Sequence, residues 1–490
     1  MHLTQALRVK AREGFDFMSA HDLLRVRNVS TRFLTETGQI NAVEDISFSV
    51  RDGETFGLVG ESGSGKSVTA HTIMGLIESS GRITSGEIWY RDPALADAVG
   101  VDESDGAFVN LVELDAETRR ALRGPSFGMI FQDPMSSMDP SVTVGEQIAQ
   151  AVEAQRRAST NPRSVSTRTQ QYGLMRFVVD SLIPHRGYVS TESKQRAIEL
   201  LDTAGIPNPA ERAEAYPHEF SGGMLQRAMI AQALAGEPDL LVADEPTTAL
   251  DVTIQAQILS LLSEIQAETD MSVILITHNL GVIARMCDRV GVMYAGEIVE
   301  RGSLADIFED AVHPYTEGLL GSVPDIDTPD ARLEPIAGSV PSLVDEEMGE
   351  RCYFADRCPK AMEACLDPPP EFDADTGTVL EDDTEDRHGV KCVLAQRGYD
   401  PDASVSISNT NSNTDSDNDN DNDNDNDNDN NNNSNSDGDD SENTSADNSR
   451  DIFNSIKSTI KTINSDTDAD ADPNLNLGLS LNTSGEEDES

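Results

Sequence analysis

The sequence predicts an α/β fold with a buried, largely parallel sheet, and three observations support this prediction. The apolar residues 56–59 lead into a glycine-rich run at 60–67, and the residues after that run have a helical pattern. Residues 240–243 and 273–276 are apolar throughout, as strands covered on both faces are. Residues 255–267 between them have helical periodicity and provide the crossover that parallel neighbours require.

Shorter patterns predict further parts of a mixed architecture. Alternating apolar and polar residues on either side of Gly38 predict a small antiparallel sheet before the glycine-rich run. Residues 193–236 have helical periodicity and predict a helical subdomain. The irregular acidic stretch 91–124 and the polar stretch 154–193 are expected to be insertions on the surface of the core.

The glycine-rich run has the composition of a phosphate-binding loop, and we call residues 60–67 the P-loop. It consists of Gly60, Glu61, Ser62, Gly63, Ser64, Gly65, Lys66 and Ser67. The glycines let backbone N–H groups face phosphates, and the helix that follows adds partial positive charge. Lys66 is expected to reach the outer phosphates of ATP, and Ser67 to bind Mg²⁺. A glycine-rich turn without a ligand is the alternative, but the strand, loop and helix order argues against it.

Two acidic residues follow the apolar strand 240–243. Asp244 is expected at the carboxyl edge of the sheet, where it can hold Mg²⁺ directly or through water. Glu245 can then act as general base toward the attacking water. Because isolated buried charges are costly, a strand rarely ends in paired acids without a functional reason.

The charge balance excludes free nucleic acid as a partner. The 490 residues include 36 Lys and Arg against 88 Asp and Glu, which gives a formal net charge of -52. Such acidity indicates a disordered acidic tail, adaptation to high salt as in a halophile, or both, and we expect both. From about residue 401 onward, Asp and Asn alternate almost without interruption, so no core can form there. An isoleucine-rich segment at 452–463 interrupts this tail and is either a docking helix or a transient helix without a partner.

The sequence contains no apolar run of the 18 or more residues that span a bilayer, and residues 1–20 lack the apolar core of a secretory signal. We therefore expect a cytoplasmic protein whose five cysteines are reduced or metal-bound.

A third motif completes a recognisable set. Residues 220–227 place Ser221, Gly222 and Gly223 at a helix start, which makes a second phosphate cradle, and Gln226 follows. With these motifs in this order, the region from about 23 to 320 closely resembles the ATP-binding cassette (ABC) family. The resemblance implies a P-loop NTPase cassette in which two chains sandwich two ATP molecules, so that Ser221 and Gly223 of one chain face the nucleotide bound by Lys66 of the other.

The resemblance also implies roles for individual residues. Gln132 would sense Mg²⁺ and couple to a membrane subunit, and His278 would contact the γ-phosphate as the switch histidine. Asp251 belongs to the implied D-loop at 249–251, and Phe33 is the candidate that stacks on adenine. The alternatives are a structural histidine at 278 and a core phenylalanine at 33.

Further motifs resemble the dipeptide and oligopeptide importer subgroup. They are the P-loop with its flanking Val59, residues 131–135, residues 313–316, residues 338–343 and the cysteine-containing residues 351–359. We expect an N-terminal extension at 1–22, the ABC domain at 23–302 with its helical subdomain at 133–236, a small C-terminal domain at 303–398 and the tail at 399–490. That C-terminal domain contains four cysteines: Cys352, Cys358, Cys365 and Cys392. Four thiolates in a reducing compartment suit a [4Fe–4S] cluster or Zn²⁺, and the alternative is a set of free thiols. The resemblance to the subgroup favours iron–sulfur.

The implied function is ATP hydrolysis at the cytoplasmic face of a membrane to power peptide import. The implied partners are two transmembrane permease subunits, a second ATPase chain that is identical or paralogous, and an extracellular solute-binding protein. Nickel or sugar import are alternatives within the subgroup. A soluble cassette ATPase acting on ribosomes or DNA, and a scaffold protein that uses the tail, are alternatives from other classes.

Overall fold

A computed structural model describes residues 22–36, 38–100, 107–160, 189–248, 250–322, 336–341, 343–344, 350–380 and 387–396. The strands are β1 (Asp22–Thr35), β2 (Gly38–Arg51), β3 (Thr55–Val59), β4 (Gly81–Arg91), β5 (Phe108–Asn110), β6 (Phe127–Ile130), β7 (Leu240–Asp244), β8 (Ser272–Thr277), β9 (Arg289–Tyr294), β10 (Glu297–Ser303), β11 (Phe372–Asp373) and β12 (Gly389–Val390). The α-helices are α1 (Lys66–Ile73), α2 (Pro93–Val99), α3 (Ala116–Leu122), α4 (Pro134–Ser137), α5 (Val144–Thr160), α6 (Thr191–Thr203), α7 (Pro209–Arg212), α8 (Gly222–Ala233), α9 (Val252–Thr269), α10 (Leu280–Met286), α11 (Leu304–Glu309) and α12 (Pro314–Gly321).

The large sheet has the strand order β11-β12-β10-β9-β3-β8-β7-β6. Its strands from β6 to β9 pair in parallel, whereas β10, β11 and β12 pair antiparallel at one edge. Every residue of β3, β7 and β8 is buried, which explains the apolar runs inside these strands. The mixed α/β sheet predicted from the sequence is therefore confirmed.

The predicted antiparallel sheet is also confirmed, and it has the order β2-β1-β4-β5. It packs on the large sheet through a shared apolar core, in which the Phe48 and Phe56 rings stack with centroids 4.8 Å apart. The prediction of an irregular stretch at 91–124 is wrong in part, because it contains α2, β5 and α3. Asp92 and Asp115 cap the two helices, a local pattern that the acidic composition concealed.

Helices α4 to α8 lie between β6 and β7 in the sequence. Residues 161–188, most of the predicted polar insertion, lie outside the described residues, and the flanking segments form the end of α5 and the start of α6. Buried Glu153 joins these two helices by accepting hydrogen bonds from Ser190 and Ser193, which limits their relative movement.

The described C-terminal residues extend the large sheet. Strand β12 pairs with β10, and two buried ion pairs support the pairing: Arg301 with Glu371 at 2.6 Å and His388 with Glu300 at 2.8 Å. The acidic tail, the isoleucine-rich segment and the N-terminal extension up to residue 21 lie outside the described residues. Within the described ranges, none of the helices combines the length and apolarity needed to cross a membrane.

Candidate nucleotide-binding site

The P-loop connects the end of β3 to the start of α1. Gly63 and Gly65 have φ angles of 81° and 101°, a region that residues with side chains rarely adopt. Gly60 needs its small size for another reason, since a Cβ there would collide with the main-chain oxygen of Met293. The loop therefore turns tightly over the sheet edge, and Ser62 and Gly63 are exposed at its tip.

Lys66 closes the loop on itself. Its Nζ donates hydrogen bonds to the carbonyl oxygens of Gly60 and Glu61, both at 2.8 Å, and to Ser64 Oγ at 3.3 Å. Burial lowers the pKa of Lys66, while the carboxylates of Glu245, Asp244 and Glu61 oppose that shift. The structure thus holds a desolvated cation inside a ring of loop oxygens, ready to contact an anionic ligand at little conformational cost.

Ser67 and Asp244 lie side by side although they are far apart in the sequence. Ser67 Oγ donates a hydrogen bond to Asp244 Oδ1 at 3.1 Å. Burial raises the pKa of Asp244, and the hydrogen bond from Ser67 opposes that shift. A hydroxyl and a carboxylate at the mouth of a phosphate loop are the oxygen donors that Mg²⁺ prefers, so the donor set fits this ion.

Glu245 is the centre of a polar cluster with Gln132, His278 and Thr248. Its Oε2 accepts from Gln132 Nε2 at 2.9 Å and from Thr248 Oγ1 at 2.8 Å, and its Oε1 lies 3.0 Å from His278 Nδ1. Burial favours the neutral acid, but the hydrogen bonds from His278 and Thr248, together with the electrostatic attraction of His278, outweigh this effect and lower the pKa of Glu245. The carboxylate is therefore ionised at neutral pH and can accept a proton from water.

The cluster is held in place by the backbone. Glu245 has a φ of 48°, in the left-handed region, and its N–H donates to the Ile276 carbonyl oxygen at 2.8 Å. This strained conformation directly after β7 turns the side chain toward residues that follow β6 and β8. The structure thus brings Gln132, Glu245 and His278 together, and their catalytic roles stay predictions.

The second predicted phosphate cradle is at the start of α8. Ser221 is the N-cap of α8 and its Oγ accepts from the Met224 N–H at 3.4 Å, while the exposed Gly222 follows it. A Cβ on Gly223 would lie 2.7 Å from the side chain of Ile254 on α9. Among the described residues, no hydrogen bond joins this cradle to the P-loop.

Three more predicted site residues have distinct surroundings. Gln226 is buried on α8, and its Nε2 has no hydrogen-bond partner among the described residues. Asp251 is exposed at the start of α9 without a side-chain capping bond. Phe33 is half-buried on β1, where its ring covers Gly81. None of the three forms a hydrogen bond to the P-loop within the described part of the chain.

The four C-terminal cysteines lie in one region but are not assembled as a metal site. Burial raises the pKa of Cys352 to about 12 and that of Cys358 to about 11, and the nearby thiols add to both shifts. Burial likewise raises the pKa of Cys392, with contributions from Cys352, Cys358 and Cys365. In the part of the chain that is described, no group of three His, Cys, Asp or Glu side chains is arranged to hold a metal ion.

The structure adds three residues that motif reasoning did not assign to the site: Thr248, Tyr315 and Arg357. Tyr315 OH accepts a hydrogen bond from the Glu61 N–H at 2.9 Å, and Arg357 forms an ion pair with the Glu61 carboxylate at 2.7 Å. Thr248 lies only three residues after Glu245, so local spacing could have suggested it. The other two are about 250 and 300 residues from the P-loop, and no sequence pattern links them to it.

Comparisons with known proteins agree with this geometry. A family described as "ABC transporter" matches residues 43–248, and one described as "Oligopeptide/dipeptide transporter, C-terminal region" matches residues 299–365. The dipeptide transport ATP-binding protein DppD of Bacillus subtilis is 44% identical over 344 residues, which cover 70% of this chain and 88% of the relative. The oligopeptide transport ATP-binding protein OppD of Salmonella typhimurium is 41% identical over 351 residues, which cover 72% and 90%. DppD of Haemophilus influenzae is 42% identical over 350 residues, which cover 71% and 92%.

Proposed function

The chain belongs to the ABC transporter ATP-binding proteins, and from this premise we propose that it hydrolyses ATP to energise the import of dipeptides or oligopeptides. The observation that carries the proposal is the joining of two parts in one chain. The side chains of Gln132, Thr248 and His278 surround the Glu245 carboxylate, and a C-terminal region that matches the peptide-transporter family follows the cassette.

The chemistry follows from the described contacts. ATP would place its phosphates over the P-loop, where Lys66 exchanges loop carbonyl oxygens for phosphate oxygens. Ser67 and Asp244 would hold Mg²⁺, which neutralises charge on the phosphates when bound. Glu245 would accept a proton from the attacking water as the water oxygen bonds to the γ-phosphorus and the bond to the bridging oxygen breaks, which releases ADP. Gln132 and His278 hold the Glu245 carboxylate through their hydrogen bonds, and His278 would also contact the γ-phosphate.

A second cassette would complete the site. A helix N-terminus, with Ser221 and Gly222 exposed, carries the second cradle, and no described hydrogen bond joins it to the P-loop of its own chain. Gly223 and Gln226 follow on the same helix. Two chains arranged head to tail would bring this cradle over the nucleotide bound by Lys66 of the partner, with Asp251 in the adjoining D-loop. Phe33 would stack on adenine. The partner chain is either identical or a paralogue.

Transport requires membrane partners. We place the chain at the cytoplasmic face of the cell membrane, bound to two transmembrane permease subunits that an extracellular solute-binding protein supplies. Exposed Gln132 and its neighbours Phe131 and Met135 form a polar and apolar surface next to Glu245, which suits a contact that links permease movement to hydrolysis.

Deletion of the gene and uptake of labelled solutes test the cargo. We expect the uptake of di- and oligopeptides to fall and to return with the wild-type chain but not with Glu245→Gln. Unchanged peptide uptake together with reduced nickel or sugar uptake would overturn the peptide assignment. Copurification with ribosomes or DNA in place of membrane proteins would favour a soluble cassette ATPase.

A finer proposal concerns the cofactor of the C-terminal region. We propose that Cys352, Cys358, Cys365 and Cys392 bind a [4Fe–4S] cluster; the support is the donor type and the close approach of two of these residues, since the Cys352 N–H donates to the Cys365 carbonyl oxygen at 3.1 Å. Anaerobically purified protein should contain about four iron atoms per chain and absorb visible light. Zinc in place of iron, or neither metal, would contradict the proposal.

A further inference from the structure

We propose that Arg357, in the C-terminal region, is a positioning residue of the nucleotide site: it holds Glu61 and thereby sets the conformation and charge of the P-loop. The inference rests on ATP binding at the P-loop, and it holds whatever the transported solute is. It assigns part of the ATP affinity to a segment about 300 residues away in the sequence.

The contact between Arg357 and Glu61 is bidentate. Arg357 Nη1 donates to Glu61 Oε2 at 2.7 Å and Nη2 donates to Oε1 at 3.1 Å. This fork geometry fixes both the position and the rotation of a carboxylate, which a single bond cannot do. Glu61 is the second residue of the P-loop, so its side chain cannot rotate freely while the pair is intact.

Arg357 itself is immobilised. Its side chain is only 6% exposed, against 29% for Glu61. Nε donates to the Ala337 carbonyl oxygen at 2.9 Å, and the guanidinium lies 5.6 Å from the ring centre of Tyr294. The hydrogen bond to Glu61 raises the pKa of Arg357, so the cation is permanent. A side chain held by this many contacts acts as a rigid support for its partner.

The main chain of Glu61 transmits this support to the loop. The Glu61 N–H donates to Tyr315 OH, and the Glu61 carbonyl oxygen accepts from Lys66 Nζ at 2.8 Å. Tyr315 packs on Tyr294 and Phe354, the same aromatic rings that lie beside Arg357. The aromatic cluster therefore supports Glu61 at its amide through Tyr315 and at its carboxylate through Arg357, while Lys66 binds its carbonyl oxygen.

The pair also controls charge. Without Arg357, the Glu61 carboxylate would remain unpaired within the loop that receives the negatively charged phosphates. Like charges at such distances repel appreciably in a partly desolvated site. Loss of Arg357 should therefore weaken nucleotide binding in two ways, through a looser loop and through repulsion. Removal of the Glu61 charge should reverse the second effect.

The test measures binding of ATP and ADP to the full-length chain by fluorescence titration, with hydrolysis measured in parallel. Arg357→Gln keeps much of the stem that packs on the aromatic cluster but loses the charge and the fork. We expect about tenfold weaker binding of ATP, a KM raised by a similar factor and a kcat within about twofold of the wild type. The double variant Arg357→Gln with Glu61→Gln should recover part of the lost affinity.

Arg351→Ala is the matched control, because Arg351 lies in the same segment and pairs with Asp356 at 3.0 Å, away from the P-loop. It should bind ATP as the wild type does. Unchanged ATP affinity in folded Arg357→Gln, or a loss that the second substitution does not relieve, would overturn the proposal. Should Arg357→Gln fail to fold, Arg357→Lys is judged by the same two criteria with a smaller expected loss. Peptide uptake enters none of these measurements, so failure here is distinct from failure of the transport proposal.

Discussion

Replacement of Glu245 by Gln should abolish turnover while the protein continues to bind ATP. Two of the bonds that the carboxylate accepts go to one oxygen, from Gln132 at 2.9 Å and Thr248 at 2.8 Å. A glutamine amide oxygen at that position keeps both bonds. Its amide nitrogen then faces His278 Nδ1, which accepts a hydrogen bond in one neutral tautomer. The substitution therefore removes a charge and a base with little change in packing.

The expected loss follows from the role of the base. A positioned general base contributes about 10²–10⁴-fold to the rate, which corresponds to roughly 3–5 kcal/mol of activation free energy. The affinity for ATP should stay constant or increase, because a negative charge near the γ-phosphate disappears. Since the pKa of Glu245 is lowered below its ordinary value of 4.5, the wild-type base stays ionised from neutral pH down to that value. Its protonation should limit the rate only in more acidic solution.

Phosphate release at saturating MgATP and fluorescence titration of ATP measure the two quantities separately. Thr248→Val is an informative companion, since it removes one bond to the carboxylate but leaves the charge, and it should reduce turnover far less. Near-normal hydrolysis by Glu245→Gln would refute the assignment and move the base to another group. Loss of ATP binding would show that Glu245 is needed to build the site.

The remaining predictions concern the assembly and its stability. Mixing Lys66→Ala chains with Ser221→Arg chains should restore hydrolysis above that of either alone, because one composite site per mixed dimer is intact; no gain would exclude an identical partner. Although burial opposes the shift, the Glu300 carboxylate raises the pKa of His388 above 6.5. The ion pair therefore stabilises the folded state fully below pH 6.5, and this contribution is lost as the pH rises through the pKa of His388 in the folded protein. Thermal melts from pH 6 to 9 should therefore show a decline that His388→Gln flattens, and parallel curves would contradict this. With a net charge of -52, the chain should melt several degrees lower in about 0.1 M than in about 1 M salt, where the screening length is shorter; equal values would exclude salt adaptation.

The nucleotide site was largely predictable because its parts are local motifs at the ends of strands. The parallel strands β7, β8 and β3 end at one edge of the sheet, so the groups that follow them must meet there. Asp244 and Ser67 are separated by 177 positions, yet Asp244 ends β7 and Ser67 lies at the start of α1, just after the loop that follows β3. Motif order and strand periodicity were sufficient for this part of the molecule.

The contacts of the C-terminal region could not be predicted in the same way. Arg357 meets Glu61 because its segment folds back against Tyr294 and Phe354, about 300 positions from the P-loop in the sequence. These contacts depend on tertiary packing between segments with no shared periodicity, and single-sequence patterns carry no information on such pairings. For the cysteines, the sequence suggested more than the structure contains. Four cysteines grouped in one domain suggested a metal site, whereas the described side chains are not arranged as ligands.

ATP-driven peptide uptake by the reconstituted complex tests the central claim most directly. The chain would be copurified with its membrane partners, placed in vesicles with MgATP on the side of the ATPase, and supplied with a solute-binding protein and labelled peptide on the other. We predict uptake that requires ATP, is lost with Glu245→Gln and raises the rate of phosphate release. A rate of phosphate release that does not change when peptide is added, together with an absence of peptide uptake, would contradict the account.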